Sequence, residues 1–456
     1  MKFALISLLA LLVPCAFALA QTAPKADPPK TLPETEKALE LFKQEKIGDA
    51  VELLAKAGKT NLNLPPPKVQ IAQWYLQANK GQNARIMTEQ AIAEDNRHPE
   101  CYLWNANIAY NEGRVTDATL NLSMALLLTD DKRWDADQKK RFAREARYGL
   151  ASCYESRADF SSAKEQIIGL LNDDAKNAGL RQRLATILFR QDSVEEARKE
   201  LAQAFADDST TDPPELRLAA LWQLKSNGEA DSKKAVEARD KAEEWFKKAA
   251  TAHPKNAKCF REYALWLLDA NKVDAALLYI DQAVQLDAGN KDNLSAKGLY
   301  QLYKDYAAAE ASFETLYKES PNNLFAMANL CLSLAESKDE KKRKRAGDLA
   351  DALVKQYPRA PVAYSIAGWC QYRQGKLDEA EKALAQSASV GQVSYDTAYF
   401  MACVLRDRQK FAEAVSILKP AIEAAHGPFI YRAEAKVLLP EIAAKIPEKK
   451  DPPKSP

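Results

Sequence analysis

From residue 34 onward, apolar side chains recur at three- and four-residue spacing in segments of about 12 to 16 residues. Such spacing predicts amphipathic helices. Polar turns separate the segments, among them Asn111-Glu112-Gly113, Asn271-Lys272 and Arg373-Gln374-Gly375. So do Pro99, Pro254, Pro321 and Pro358, where a helix is expected to stop or restart. The segments come in pairs, so the pattern predicts a train of helical hairpins.

The period can be read from one residue type. Alanines in the second helix of each predicted hairpin stand at Ala50, Ala84, Ala118, Ala163, Ala197, Ala242, Ala276, Ala309, Ala346, Ala380 and Ala414. Six of the ten intervals are 34 residues, two are 33 or 37, and two are 45. Seven residues further on, a second small or apolar column runs from Ala57 through Ala91, Ala125, Leu170 and Ala204 to Ala421. Twelve residues before the marker, most repeats carry a third, including Ala38, Ala72, Ala106, Ala151, Ala185, Ala264, Gly368 and Ala402. Three columns in one register define a repeat array, not a set of unrelated domains.

Steric chemistry accounts for the columns. Two helices approach to about 8–10 Å only where the contact residues are small. Larger residues such as Leu41, Tyr75, Tyr154, Leu188, Leu267, Phe246 and Phe313 are then left to fill the space between crossings. A hairpin of this size cannot bury its own apolar faces and needs neighbours on both sides. The predicted fold class is all-α.

A 34-residue helix–turn–helix period with this alternation of small and large residues resembles the tetratricopeptide repeat. Residues 361–392 carry the likeness best, with Tyr364, Gly368, Tyr372, Gly375, Ala380, Leu384 and the acidic pair Asp378-Glu379. Residues 290–321 carry Lys304-Asp305-Tyr306, Ala309, Phe313 and Pro321. The tryptophan that the family favours early in the first helix is replaced by Tyr102, Phe260 or Tyr364. The resemblance implies a right-handed superhelical solenoid of about eleven repeats over residues 34–427.

The two long intervals each add eleven residues, about three helical turns. One addition falls around Thr129–Lys140 and the other around Ser226–Arg239, and both read as lengthened helices. The charged run from Lys338 to Arg345 reads as a lengthened loop. Residues 428–446 read as a capping helix over the last hairpin, and 447–456 as a disordered Lys/Pro tail.

At the other end, Lys2, an apolar run from Phe3 to Leu19, and Ala18-Leu19-Ala20 have the form of a signal peptide over residues 1–20. A polar, proline-rich linker follows over 21–33. These features predict an exported protein, periplasmic or secreted, with no transmembrane span after cleavage.

Composition narrows the function. The formal charge is +2, or +1 once Lys2 is removed, so there is no basic field to suit nucleic acid. Six cysteines remain after cleavage (Cys101, Cys153, Cys259, Cys331, Cys370 and Cys403), dispersed along apolar segments without zinc-type spacing. His98, His253 and His426 lack partners at triad or metal spacing, and no phosphate-cradling glycine loop is present. No metal, cofactor or catalytic role is expected.

The resemblance implies that the first helix of each hairpin lines a concave groove that binds a protein or peptide. The groove positions expected to be exposed are Asn107, Tyr110, Tyr148, Phe189, Trp369, Tyr372, Arg373, Tyr399 and Arg406. Tyrosine, tryptophan and arginine bury large areas at low entropic cost, which suits them to partner contacts. The Lys/Asn/Arg set with which the family clamps a C-terminal carboxylate is not reproduced in register. An alternative reading is an envelope structural protein that meets an anionic polymer or membrane surface through the basic run and the Lys/Pro-rich ends.

Overall fold

A computed structural model describes residues 33–61, 64–424 and 427–446. The predicted signal peptide, nearly all of the linker, the tail and His426 lie outside the described residues. Among the described residues there are 23 helices, and the chain divides between Pro214 and Glu215 into two compact units.

The first unit holds α1 (Pro33–Lys43), α2 (Ile47–Thr60), α3 (Pro67–Gln77), α4 (Gly81–Glu94), α5 (Pro99–Asn111), α6 (Val115–Leu128), α7 (Ala136–Ser156), α8 (Phe160–Asp173), α9 (Ala178–Arg190) and α10 (Val194–Asp207). The second begins within α11 (Pro214–Gly228) and continues with α12 (Ser232–Ala252), α13 (Ala257–Asp269), α14 (Val273–Leu286), α15 (Lys291–Leu302) and α16 (Tyr306–Glu319). Then come α17 (Leu324–Ala335), α18 (Glu340–Gln356), α19 (Pro361–Arg373), α20 (Leu377–Val390), α21 (Tyr395–Asp407), α22 (Phe411–Glu423) and α23 (Arg432–Ala443). The first 22 helices form eleven hairpins, each an odd-numbered helix followed by an even-numbered one. The architecture is an all-α helical-repeat solenoid.

All eleven marker alanines sit in even-numbered helices, and each has 0% exposure. The column seven residues on is buried as well, from Ala57 to Ala421. Gly368 shows why the register demands small residues: a Cβ there would lie 2.6 Å from Leu384 Cγ and 3.1 Å from the Ala380 carbonyl. Bulk enters one turn later, at Ile167, Phe246, Phe313, Leu384 and Leu418, all buried.

The turns inside the hairpins repeat too. Five residues before the marker, Glu45, Asn79, Gly113, Ala158, Asp192, Asn271, Gly375 and Gln409 all take a positive φ between 56° and 77°. The next residue's N–H reaches back five positions to a helix carbonyl, as in Asp159 N to Tyr154 O at 2.9 Å and Lys376 N to Gln371 O at 2.9 Å. This is the Schellman closure of a helix end, and only glycine adopts its left-handed residue without steric cost. Ala158, at φ 58°, has no side-chain polar group to compensate. Ala158→Gly is therefore expected to stabilise the first unit by about 1 kcal/mol, as a rise in denaturation midpoint with unchanged m value.

Both long intervals end in lengthened helices, since α7 and α12 run to 21 residues each. Asp135 starts α7 with a capping box, and Asp231 caps α12 by accepting from Lys233 N and Lys234 N. The run Lys338–Arg345 differs from expectation. It is not a loop: Asp339 caps a 17-residue α18, whose first turns contain residues 340–345. Lys342 pairs with Glu310 at 2.8 Å and Arg345 with Glu314 at 2.9 Å, both on α16, so the charges of the run brace one hairpin against the next.

At the C-terminal end, the chain stays non-helical from Gly427 to Tyr431 before α23 begins at Arg432. Gly427 has φ 102°, and Pro428 has no N–H to give to a helix, which explains the delayed start.

Cys101, Cys153, Cys259, Cys331, Cys370 and Cys403 are buried free thiols. No described helix is long and apolar enough to cross a membrane.

Candidate functional site

Within each unit the odd-numbered helices of neighbouring hairpins pack on one another: α3 on α5 and α5 on α7, then α13 on α15, α15 on α17, α17 on α19 and α19 on α21. Even-numbered helices pack on their own partner and on the next odd-numbered helix. Each stack is therefore tighter along its odd-numbered helices, and their common surface is an inner face. In nine repeats the last residue of these helices lies seven positions before the marker, and in eight of them it is polar: Lys43, Gln77, Asn111, Ser156, Arg190, Asp269, Arg373 and Asp407, with the buried Leu302 the ninth.

In the first unit this face is rich in amides and hydroxyls. Asn111 donates to Asn107 at 3.0 Å, and Gln70 to Gln73 at 3.1 Å. Arg183 donates to Glu155 at 2.8 Å and to the Ser152 hydroxyl at 2.7 Å, linking α9 to α7. Tyr148 is half-buried, with the Arg144 guanidinium 5.9 Å from its ring centre. Tyr110 is half-buried against the cluster of Leu103, Ala106 and Leu122.

In the second unit the face is aromatic and acidic. Trp369 stacks on Tyr372 at 5.2 Å and on Phe400 at 4.2 Å. Its indole donates to Glu336 Oε1 at 2.7 Å, and Arg373 pairs with Glu336 Oε2 at 3.3 Å. Tyr372 donates to Asp407 at 2.8 Å and accepts from Arg406 at 2.9 Å. Burial raises the Tyr372 phenol well above its ordinary value, so it stays a neutral donor.

Five of the nine residues expected at the groove therefore meet in one place: Trp369, Tyr372, Arg373, Tyr399 and Arg406 link α19 to α21. Asn107, Tyr110, Tyr148 and Phe189 lie in the other unit. Three of the nine are not exposed as expected. Trp369 and Phe189 are each 2% exposed, and Asn107 is 9% exposed. Phe189 is an apolar ring that gains by joining the core, and Asn107 is covered beside Asn111.

Trp369 is covered by the chain itself. The non-helical strap Gly427–Tyr431 lies against the inner face of the second unit. Gly427 N donates to the Asp269 carbonyl at 2.9 Å, and Asn271 Nδ2 donates to the Gly427 carbonyl at 3.3 Å. The Tyr303 hydroxyl bonds to the main chain of Phe429. Asp396 accepts from Tyr431 N at 3.0 Å and also from Ile430 N. The Tyr431 hydroxyl donates to Glu336 at 2.7 Å, and its ring meets Trp369 at 5.4 Å and Tyr399 at 5.1 Å. Phe429 and Tyr431 are 1% and 3% exposed.

Sequence reasoning missed Glu336, Asp396, Asp269, Asn271 and Tyr303. The signal for Asp269 was available, because it ends an odd-numbered helix in the same register as Arg373.

The two described histidines, His98 and His253, serve the fold. His98 caps α5 by accepting from Glu100 N at 3.3 Å and lies 4.7 Å from the Trp134 ring; burial pulls its pKa down to about 4. His253 bonds to Glu215 at 3.0 Å. Among the described residues no cluster of three or more His, Cys, Asp or Glu could hold a metal ion.

Paired helices, one small-residue register and a shared inner face define a helical-hairpin repeat protein. Residues 342–392 match the tetratricopeptide repeat family model. That stretch is of the tetratricopeptide-repeat type, within an all-α helical-repeat solenoid. No curated protein matches it. Among solved structures it is similar to yeast Tom70, at 12% identity over 90% of this chain and 95% of that one, with a TM-score of 0.33. It is also similar to a tetratricopeptide repeat protein of Parabacteroides merdae, at 14% identity over 66% and 99% of the two chains, with a TM-score of 0.37. A thermophilic TPR protein of Thermus thermophilus is 16% identical over 41% of this chain and 100% of its own, with a TM-score of 0.35. Repeat proteins of this class are in general non-catalytic and bind protein partners.

Proposed function

We propose that this protein is an exported, non-catalytic scaffold that binds extended protein segments along the inner face of its odd-numbered helices. The strap carries this reading. The inner face of the second unit already holds a non-helical segment through main-chain hydrogen bonds and two buried aromatic rings, which are the means by which a separate peptide would be held. The inner face of the first unit offers the same kinds of groups, with Tyr148 half-buried one turn before Ser152, whose hydroxyl accepts from Arg183. Contact with an anionic polymer is less well supported, because Lys342 and Arg345 of the basic run are already paired with Glu310 and Glu314.

Export rests on Lys2, the apolar run Phe3–Leu19 and the Ala18-Leu19-Ala20 end. The test is photo-crosslinking in cells of the source organism, with the crosslinker at Tyr148 on the inner face or at Lys199, exposed on α10. A discrete protein adduct is expected from Tyr148 and not from Lys199, on a chain whose mass begins at Gln21. Equal labelling from both positions overturns the inner-face reading, and a soluble cytoplasmic chain retaining Met1 overturns export.

A further inference from the structure

The strap is held mostly by groups that would hold any chain of suitable pattern. Asn271 and Asp396 address its main chain, at the Gly427 carbonyl and at the N–H groups of Ile430 and Tyr431. Two side chains are fully buried, and Ile430 between them is half-buried against the same cluster. Phe429 lies 6.0 Å from the Tyr395 ring, and Tyr431 enters the cage of Tyr306, Trp369, Tyr399 and Phe400. Glu336 then requires that the second ring carry a donor, since it accepts from the Tyr431 hydroxyl at 2.7 Å. Two N–H groups on Asp396 exclude proline from the last two positions.

We propose that Gly427–Tyr431 is a built-in occupant of a partner seat, and that the seat takes from a partner an extended segment of the pattern aromatic–apolar–tyrosine, which displaces the strap. This rests on the reading of the inner face as a site for protein segments, and adds the partner's chemistry and the element that regulates access. The closed state is not free of cost where it is held: Asp396 is a half-buried carboxylate that has lost part of its hydration, and Nη1 of Arg432, the residue after the strap, is buried without a partner. Neither group is burdened in this way once the strap leaves. Tethering still favours the strap, because a linked segment competes at an effective concentration of about millimolar. A free peptide of the same sequence should therefore bind poorly until the strap is disabled.

The experiment uses the full mature chain, as wild type and as the double variant Phe429→Ser, Tyr431→Ser. The probe is a fluorescent peptide with the sequence of residues 427–432. The variant is expected to bind it at least about 100-fold more tightly than wild type, because a seat open less than about 1% of the time weakens apparent affinity by that factor. A control peptide with both aromatic residues changed to alanine should not bind. Absence of binding to the folded variant overturns the proposal. So does loss of protection through α13–α21 in the variant, which would make the strap an obligatory part of the core. Hydrogen exchange on wild type gives an independent arm: the amides of Ile430 and Tyr431 must exchange before those of α19 and α21, and exchange only on global unfolding overturns displacement. A variant that takes the peptide while Tyr148 captures no protein in cells would sink the scaffold reading and leave the seat standing. Capture at Tyr148 with no peptide binding would do the reverse.

Discussion

Replacing Trp369 with alanine is expected to destabilise the second unit by about 3–5 kcal/mol, the range for deleting a large buried aromatic side chain. The ring is 2% exposed and touches Tyr372, Phe400 and Tyr431, so its loss leaves a cavity that these rings cannot close without moving. Glu336 also loses the indole donor at 2.7 Å and keeps Arg373 and Tyr431. Trp369→Phe restores most of the volume and none of the hydrogen bond, so it should recover more than half of the stability. Thermal melting of the three proteins decides this. Hydrogen exchange should show the strap loosened in Trp369→Ala, while α1 to α10 keep their protection. A melting point within a degree of wild type would mean that Trp369 is not the keystone of this cluster. Tyr148→Ala, at a half-buried ring, should change stability by less than about 1 kcal/mol.

The contrast between those two residues marks what was legible in the sequence. The repeat was legible because helix crossings impose a hard steric rule: the eleven alanines at 33- to 45-residue intervals are all completely buried. Lengthened helices α7 and α12 followed from interval length alone. The right helix faces were legible too, since Trp369, Tyr372, Arg373, Tyr399 and Arg406 meet on the inner face of the second unit. Their cover was not. Asn271 and Gly427 are 156 residues apart, and Glu336 and Tyr431 are 95 apart, so the strap's pairing leaves no periodic trace. An inner-face tryptophan on a repeat reads the same whether a partner or the chain's own end lies over it. Glu336 escaped for a more local reason. The 37-residue interval moves it three positions out of the column that holds Asp269 and Arg373.

The strap also gives the protein a pH response. Burial raises the Asp396 carboxyl from 3.8 to about 7, against the lowering effect of the Tyr431 and Ile430 N–H groups. Its place in the first turn of α21 favours the ionised form, and desolvation outweighs that. The charged and titratable groups around it are Tyr395 on its own helix, Tyr303 just past α15, Tyr306 at the start of α16 and Glu434 on α23, with Asp269 and Arg432 facing Tyr303 and Tyr395. Glu434 adds repulsion and the phenols stay neutral. A carboxyl with a raised folded-state pKa binds its proton more tightly folded than unfolded, so its contribution is full below 3.8 and disappears as pH rises through about 7. The span corresponds to at most about 4 kcal/mol, and because Asp396 is only half-buried, solvent screening brings the expected effect to about 2 kcal/mol. Strap protection measured by hydrogen exchange, corrected for intrinsic rates, should therefore fall between pH 5 and pH 8. Asp396→Asn keeps an oxygen to accept from Tyr431 N and cannot ionise, so its protection should stay level across that range and exceed wild type at pH 8. His98 in the first unit, with its pKa pulled down to about 4, has the opposite sign and acts below its unfolded value. Reading the strap amides, not the global melting point, keeps the two apart. A wild-type strap whose protection is flat from pH 5 to pH 8, or an asparagine variant that slopes as steeply, would remove Asp396 as the group that sets how tightly the strap is held.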